Sequence, residues 1–303
     1  MDMIRRLRGA RRTAPANYNC LMDAIVITGA SSGIGYDAAR YAIAQGARVF
    51  GSVRSAADAD RVRAELGDRF TPLQFDVTDA PAVRAGAEQV RAALAGERLF
   101  GLVNNAGIAT AGPLLHQPLD EWRRVVEVNL IGAVCTTQSF APLLQSSGAQ
   151  RPGRIVNISS VSGRIGWPML SAYAASKHGM EGMSDALRRE LQVYGIDVIV
   201  IGPGSVKTPI WEKARALNVS PYATTAYRAA FDRYAAFVGD SEAAGIPVER
   251  VSVLVWRALT QPHPRTRYAP SPNPFTNWLL PLLPRRWIYR IAAQSMGLAR
   301  QAR

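Results

Sequence analysis

The sequence predicts an α/β fold, a doubly wound parallel sheet built as a single domain. Three observations carry that expectation. At 303 residues with 48% apolar content, the chain is long enough to bury one large core. Short apolar, β-branched runs alternate with helical segments, the pattern of successive βα units. Glycine- and polar-rich turns follow those runs, at the strand ends where open parallel sheets gather ligands.

Residues 1–22 hold five Arg against one Asp and lack an apolar stretch long enough for a signal peptide. They read as a basic, disordered leader. An upstream start assigned ahead of Met22 and a basic arm on a membrane or polyanion are the alternatives. Residues 24–28, AIVIT, form the first strand, followed at once by GASSGIG and a helix to about Gln45. Strand, glycine turn and helix in that order make a dinucleotide site of Rossmann type. Gly29, Gly33 and Gly35 permit a tight turn and close backbone approach, while the helix N-terminus offers N–H groups to a pyrophosphate. The second strand, RVFGSV, ends at Val53 with Arg54 next. An acid near this strand end commonly binds a ribose 2′-hydroxyl, whereas an arginine accommodates a 2′-phosphate. Val53 and Arg54 therefore favour NADP(H) over NAD(H).

TPLQFDV leads into a helix at residues 81–94, and LFGLVNN ends in the turn NNAG, residues 104–107. One long helical region over about 119–144 carries Asn129 inside it, where an asparagine is more commonly a surface residue. RIVNIS (154–159) is the fifth strand and delivers Ser160 at its end; IDVIVI (196–201) is the sixth. Residues 209–238, rich in Trp, Tyr, Phe and Ala, read as a mobile lid over the site. GIPVERVSVLVWRAL (245–259) reads as a packed helix and RYAP (267–270) as a last short strand, which places the catalytic domain at 23–270. Residues 271–303 form an apolar, basic extension that either closes the sheet edge or touches a membrane.

Tyr173 and Lys177 stand four apart in YAASK and share one helix face. A neighbouring cation favours the phenolate and lowers the tyrosine pKa from its usual value of about 10. That suits proton exchange with an alcohol or carbonyl. Ser160 precedes Tyr173 by a loop long enough to fold its hydroxyl back beside the phenol and orient a carbonyl oxygen. The chain has only three lysines, Lys177, Lys207 and Lys213, so a lysine here points to a need for a compact ammonium. His178 adjoins Lys177 and therefore points elsewhere on the helix. The three histidines are scattered, and no metal-ligand cluster is expected.

Taken together, TGASSGIG (28–35), DVT (76–78), NNAG (104–107), VNLIG around Asn129, NISS (157–160), YAASK (173–177) and PGSVKT (203–208) resemble the short-chain dehydrogenase/reductase family in its compact branch. The tail and RVFGSVRS resemble its 17β-hydroxysteroid and retinol dehydrogenase-like group. The resemblance implies a catalytic tetrad of Asn129, Ser160, Tyr173 and Lys177, with Asn129 holding a water in the proton relay and Lys177 on the nicotinamide ribose. It implies cofactor contacts from Gly29, Ser31, Ser32, Gly33, Ile34, Gly35 and Arg54. It also implies Asp76 at the adenine, Asn105, Ala106 and Gly107 along the cofactor, Val206 and Thr208 at the carboxamide, and further cofactor contacts from Val77, Pro203 and Gly204.

The net charge of +13 lies at the ends of the chain. Residues 251–303 hold eight Arg and no acid, which with the leader leaves the body near neutral and argues against nucleic-acid binding. Two cysteines in unlike contexts suggest no disulfide framework and fit a reducing cytosol. The expected protein is a cytoplasmic homo-oligomer, dimer or tetramer, acting on a small hydrophobic substrate with NADP(H). Two rival readings stay open: a non-catalytic NADP-sensing or scaffold protein on the same fold, and a peripheral membrane-binding module.

Overall fold

The computed structural model describes residues 24–146, 151–216, 220–222, 224–273, 275 and 282–298. The leader, and Trp278, Leu279 and Leu280 of the extension, lie outside the described residues. Seven parallel strands form one sheet: β1 (Ala24–Ile27), β2 (Arg48–Val53), β3 (Phe70–Gln74), β4 (Gly101–Asn104), β5 (Gly153–Ile158), β6 (Ile196–Ile201) and β7 (Arg267–Tyr268). Their order is β3-β2-β1-β4-β5-β6-β7, so the chain winds outward from β1 in one direction and from β4 in the other. That reversal opens a crevice beyond the carboxyl ends of β1 and β4.

Between the strands run α1 (Gly33–Ala44), α2 (Ala56–Leu66), α3 (Ala80–Leu94), α4 (Leu119–Val126), α5 (Gly132–Leu144) and α6 (Ser171–Glu190). After β6 come α7 (Ile210–Arg215), α8 (Arg228–Ala243) and α9 (Val248–Thr260); α10 (Arg285–Ser295) follows β7. Alternation along the strands sorts the core into two layers. Ile25 and Ile27 pack with Ala38, Ala39 and Ala42 of α1 and with Val251, Val255 and Leu259 of α9. Val26, Leu73 and Leu102 pack on the other face with Val83, Ala87 and Val90 of α3 and with Phe140 and Leu144 of α5. A chain of buried amides ties strands to helices on that second face. Asn104 donates to Asn157 at 2.9 Å and to Thr137 at 3.0 Å, and Asn157 donates to Ser184 of α6 at 2.8 Å.

Two elements differ from expectation. The single helix expected over 119–144 is broken by a π-turn, Glu127–Ile131, whose extra residue re-aims the side chains along it. Asn129 sits in that turn and is fully buried, not on the surface. The helix α2 has no counterpart in the sequence reading, because Val62 is its one buried residue and its apolar period is correspondingly faint. What defines α2 locally is its cap: the Ser55 hydroxyl accepts from the Asp58 N–H.

Candidate active site

The crevice is built first from backbone. Gly29 and Gly33 stand at φ +68° and +59°, a region that side chains rarely adopt. Ser52 pins the turn from β2, its hydroxyl accepting from the Gly29 N–H at 2.9 Å and its carbonyl from the Ala30 N–H at 2.8 Å. A side chain at Gly35 would overlap the Gly29 carbonyl and the Asn105 carboxamide. Ser32 caps α1 in an extended conformation without a side-chain bond, so the first N–H groups of that helix have no side-chain acceptor. A helix start of this kind, reached through glycines that admit close approach, fits a pyrophosphate.

Thr28 joins this turn to the one after β4. Its hydroxyl oxygen accepts from the N–H groups of Asn105 (2.9 Å) and Ala106 (3.0 Å), and Asn105 Nδ2 donates back to the Thr28 carbonyl at 2.9 Å. Around the rim, Val53 is buried and Arg54 exposed at the end of β2. Asp76 accepts from the Thr78 hydroxyl at 2.8 Å and N–H at 3.0 Å, beside buried Val77. Arg61 of α2 donates to the Ser31 carbonyl at 2.8 Å, while Ile34 turns in toward the core. On the far side, the Pro203 carbonyl accepts from the Val161 N–H at 2.9 Å, and the Gly204 N–H donates to Pro270 at 2.8 Å. Val206 pairs with Ile246 and accepts from the Trp211 indole N–H at 2.8 Å. A Cβ at Gly33 would lie 3.6 Å from Thr208, so this loop reaches back to the glycine turn.

Chemistry-bearing side chains gather where β5 ends. The Ser160 hydroxyl accepts from the Ser162 N–H at 3.1 Å and lies close enough to the Tyr173 phenol to act on its titration. Lys177, one turn along α6, is 4% exposed and donates to the Ile158 carbonyl at 2.8 Å. Its Nζ lies 5.7 Å from the centre of the Tyr173 ring. Burial holds the ammonium down to about 8, with the Glu181 carboxylate opposing that shift. Burial also pushes the Tyr173 phenol above its ordinary value, and Ser160 draws it back only in part. The sequence expectation of a phenol lowered by its lysine is thus corrected: desolvation raises it, Ser160 opposes that in part, and the lysine ammonium is committed to a backbone carbonyl.

Asn129 enters from the π-turn. Its Oδ1 accepts from the Ile108 N–H at 2.8 Å, and its Nδ2 donates to the Ile108 carbonyl (2.9 Å) and to the Ser176 hydroxyl (3.0 Å). Ser176 in turn donates to the Tyr173 carbonyl at 2.8 Å. The carboxamide thereby fixes the loop after β4 and the helix that carries Tyr173. A Cβ at Gly107 would fall 3.2 Å from Asn129 Oδ1 and 3.7 Å from Lys177 Nζ, so the absence of a side chain there keeps the floor of the crevice open. His178 is exposed, with its Nδ1 at 2.8 Å from the Ala174 carbonyl, and faces away from the site.

Beside this centre is a third apolar cluster. Met169, Tyr222, Phe231, Tyr234 and Val238 are buried in it, with Met296 brought in from just beyond α10. Tyr222 stacks on Phe231 at 4.7 Å. Met169 holds φ +67°, unusual for a residue with a side chain, and its carbonyl accepts from the Gly112 N–H at 2.8 Å. Burial pushes the Tyr234 phenol up to about 12.

Residues 23–218 match the family model for the short chain dehydrogenase. The chain belongs to the short-chain dehydrogenase family. Within it, this oxidoreductase is of the hydroxysteroid and retinol dehydrogenase-like group. It is 41% identical over 249 residues to an NADPH-dependent 3-dehydrocapnine reductase of Ornithobacterium rhinotracheale, covering 82% of this chain and 88% of the relative. It is 34% identical over 262 residues to human retinol dehydrogenase 16, covering 81% and 79%. Bovine 17-beta-hydroxysteroid dehydrogenase type 6 is 33% identical over 256 residues, with 81% and 79% covered. A short-chain dehydrogenase crystal structure from Streptomyces avermitilis superposes with a TM-score of 0.72 at 24% identity, over 93% of this chain and all of that one.

Several residues of this short-chain dehydrogenase site were not singled out from sequence. Thr28 and Ser52 clamp the glycine turn, Ser176 links Asn129 to the helix that carries Tyr173, and Arg61 buttresses Ser31. Thr28 and Ser176 lie inside motifs already visible, TGASSGIG and YAASK. Ser52 and Arg61 carry no local signal, since each acts on a turn more than twenty residues away in the chain.

Proposed function

We propose that this enzyme interconverts a secondary alcohol and a ketone, or an alcohol and an aldehyde, on a hydrophobic steroid-, retinoid- or lipid-like substrate with NADP(H), using Tyr173 as acid and base. The observation that carries the reading is Tyr173 set beside both Ser160 and Lys177, with Lys177 Nζ 3.7 Å from where a Cβ at Gly107 would stand. A phenol that burial keeps protonated is set to give its proton to a carbonyl oxygen. Ser160, already anchored by the Ser162 N–H, orients that oxygen. Lys177 stabilises the phenolate left behind. In the oxidative direction the same phenolate takes the alcohol proton.

A nicotinamide cofactor, when bound, supplies or accepts the hydride. The chain would hold its pyrophosphate at residues 29–35, its adenine at Asp76 and Val77, and its nicotinamide end at Asn105, Ala106, Gly107, Lys177, Pro203, Gly204, Val206 and Thr208. Preference for the 2′-phosphate is supported by exposed Arg54 beside apolar Val53 and by an NADPH-dependent relative. A hydrophobic substrate is supported by the third cluster, which residues 209–238 help to form, and by relatives that are retinol and 17-beta-hydroxysteroid dehydrogenases.

A panel of apolar alcohols and ketones, followed by NADPH absorbance, tests the reading. Tyr173→Phe keeps the ring and removes the exchangeable proton, so turnover should fall by about 10²-fold or more while NADPH still binds. Normal turnover in that variant would take Tyr173 out of the chemistry.

A further inference from the structure

Below Lys177 on the same helix face lies a group that neither the motifs nor the proposed chemistry uses. Glu181 is one turn on from Lys177, as Lys177 is from Tyr173, so the three form one row along α6. Its carboxylate does not turn up the helix to the ammonium. Instead Arg267 of β7 grips it, Nε donating at 3.0 Å and 3.2 Å to the two oxygens and Nη2 at 3.1 Å. Both side chains are about five-sixths buried, at 16% and 17% exposure, and the forked geometry is the strong form of such a pair.

The surroundings are shaped to hold that fork. A Cβ at Gly202 would overlap the Arg267 guanidinium and lie 3.2 Å from the Ser160 carbonyl, so Arg267 passes directly behind the catalytic serine. A Cβ at Gly163 would lie 3.0 Å from Glu181 Cγ and 3.0 Å from the Lys177 carbonyl. The Tyr173 phenol, the Asn129 carboxamide and the Ile158 carbonyl, all neutral, lie around the ammonium. Among the described residues, the Glu181 carboxylate is the charge that opposes burial at the ammonium.

We propose that Glu181 and Arg267 are positioning residues for the reaction: the Glu181 carboxylate sets the electrostatic environment of Lys177, and Arg267 holds that carboxylate off the ammonium and partly cancels it. The consequence is a lysine free to point at Ile158 and the crevice. Without Arg267, an i,i+4 ion pair with Glu181 would draw it down the helix. Without Glu181, burial alone would act on it and favour the neutral amine. The functional part of this rests on the assignment of Lys177 to the proposed chemistry; the electrostatic part does not.

The test exploits the small lysine count. With lysine carrying carbon-13 at Cε, the cofactor-free protein gives three signals, from Lys177, Lys207 and Lys213, assigned by Lys→Arg substitution at the last two. Glu181→Gln should lower the pH at which Lys177 titrates by about one unit, and Arg267→Met should raise it by a similar amount. Arg267→Lys, which keeps the charge, should restore most of the original value and serves if Arg267→Met fails to fold. The pH profile of kcat/KM should move with the titration in each variant. An unmoved Lys177 signal in all variants, or a shift of the same sign for Glu181→Gln and Arg267→Met, would overturn the proposal and leave the pair a structural brace. If the signal moves as expected but the kcat/KM profile does not, the positioning role is overturned. If the unaltered protein turns over no alcohol or ketone, the proposed function fails while the titration still decides the electrostatic assignment.

Discussion

Lys177 shows burial and charge working against each other on one side chain. Its folded value, about 8, lies below the 10.5 of a free lysine. Between those two values the unfolded chain keeps a proton that the folded chain has shed, so stability rises with pH across that window. Below about pH 8 the ammonium is charged in both states and its desolvation cost is fully present. The unaltered protein should therefore gain on Lys177→Met by up to about 3 kcal/mol as pH goes from 7.5 to 10.5, measured by denaturant unfolding at each pH. Tyr234 also has a shifted value, but it is common to both chains and cancels in the difference; adding Tyr173→Phe to both chains removes the phenol whose titration depends on Lys177. Parallel stability curves would show that Lys177 is not desolvated. Val53 and Arg54 carry a second prediction at this scale. Val53→Asp with Arg54→Ala should reverse a preference for NADPH over NADH, because a carboxylate repels the 2′-phosphate and accepts from a ribose hydroxyl. Dissociation constants for both cofactors, read by fluorescence, check it, and a wild-type preference for NADH would defeat it.

Among the elements, α1 matters most to the cofactor end because its first turn faces the crevice. Its position is set partly by apolar packing and partly by one polar tie. Asp37 of α1 is 5% exposed and accepts from the Ser252 hydroxyl of α9 at 2.6 Å, and Arg40 donates to its other oxygen. A buried carboxylate that loses a donor is costly, so Ser252→Ala should destabilise the protein by about 1–3 kcal/mol. Urea unfolding measures this, and a change below about 0.5 kcal/mol would mean that the tie is unimportant. The π-turn before α5 has a comparable role at the other end of the site. It turns Asn129 inward, and the bonds to Ile108 and Ser176 then fix α6 against the loop after β4.

At the scale of the whole molecule, α10 connects the third apolar cluster to the outer surface. Ile288 and Ala292 face inward, Met296 joins the third cluster, and Arg233 of α8 donates to the Gln294 carbonyl at 2.7 Å. The outward side exposes Trp287, Tyr289 and Ile291 next to Arg285, Arg286 and Arg290. No helix among the described residues is long and apolar enough to cross a membrane. An aromatic and basic face of this kind suits the surface of an anionic bilayer, where apolar substrates concentrate. Vesicles containing phosphatidylserine should therefore sediment the protein, and Trp287→Ser with Ile291→Ser should weaken that at least severalfold without changing NADPH affinity. Equal sedimentation of both chains would assign the face to another purpose.

The sequence by itself determined the strand–turn–helix rhythm, the glycine turn, the polar strand ends and the Tyr173–Lys177 spacing. These are local matters of backbone conformation and periodicity, readable within a dozen residues. It also located the helix of residues 245–259 and the last strand, found as α9 and β7. Only the tertiary structure decided where charges point and what is dry. Lys177 bonds to a strand nineteen residues upstream, and Arg267 meets Glu181 across eighty-six residues, so no local pattern reports either. The same holds for the third apolar cluster. Met169, Tyr222 and Phe231 are packed together in it, while Trp167 and Trp211 stay half-buried. Aromatic content signals that a cluster will form, but which of its members faces a ligand depends on long-range packing, and that is settled only when the whole chain has closed around its core.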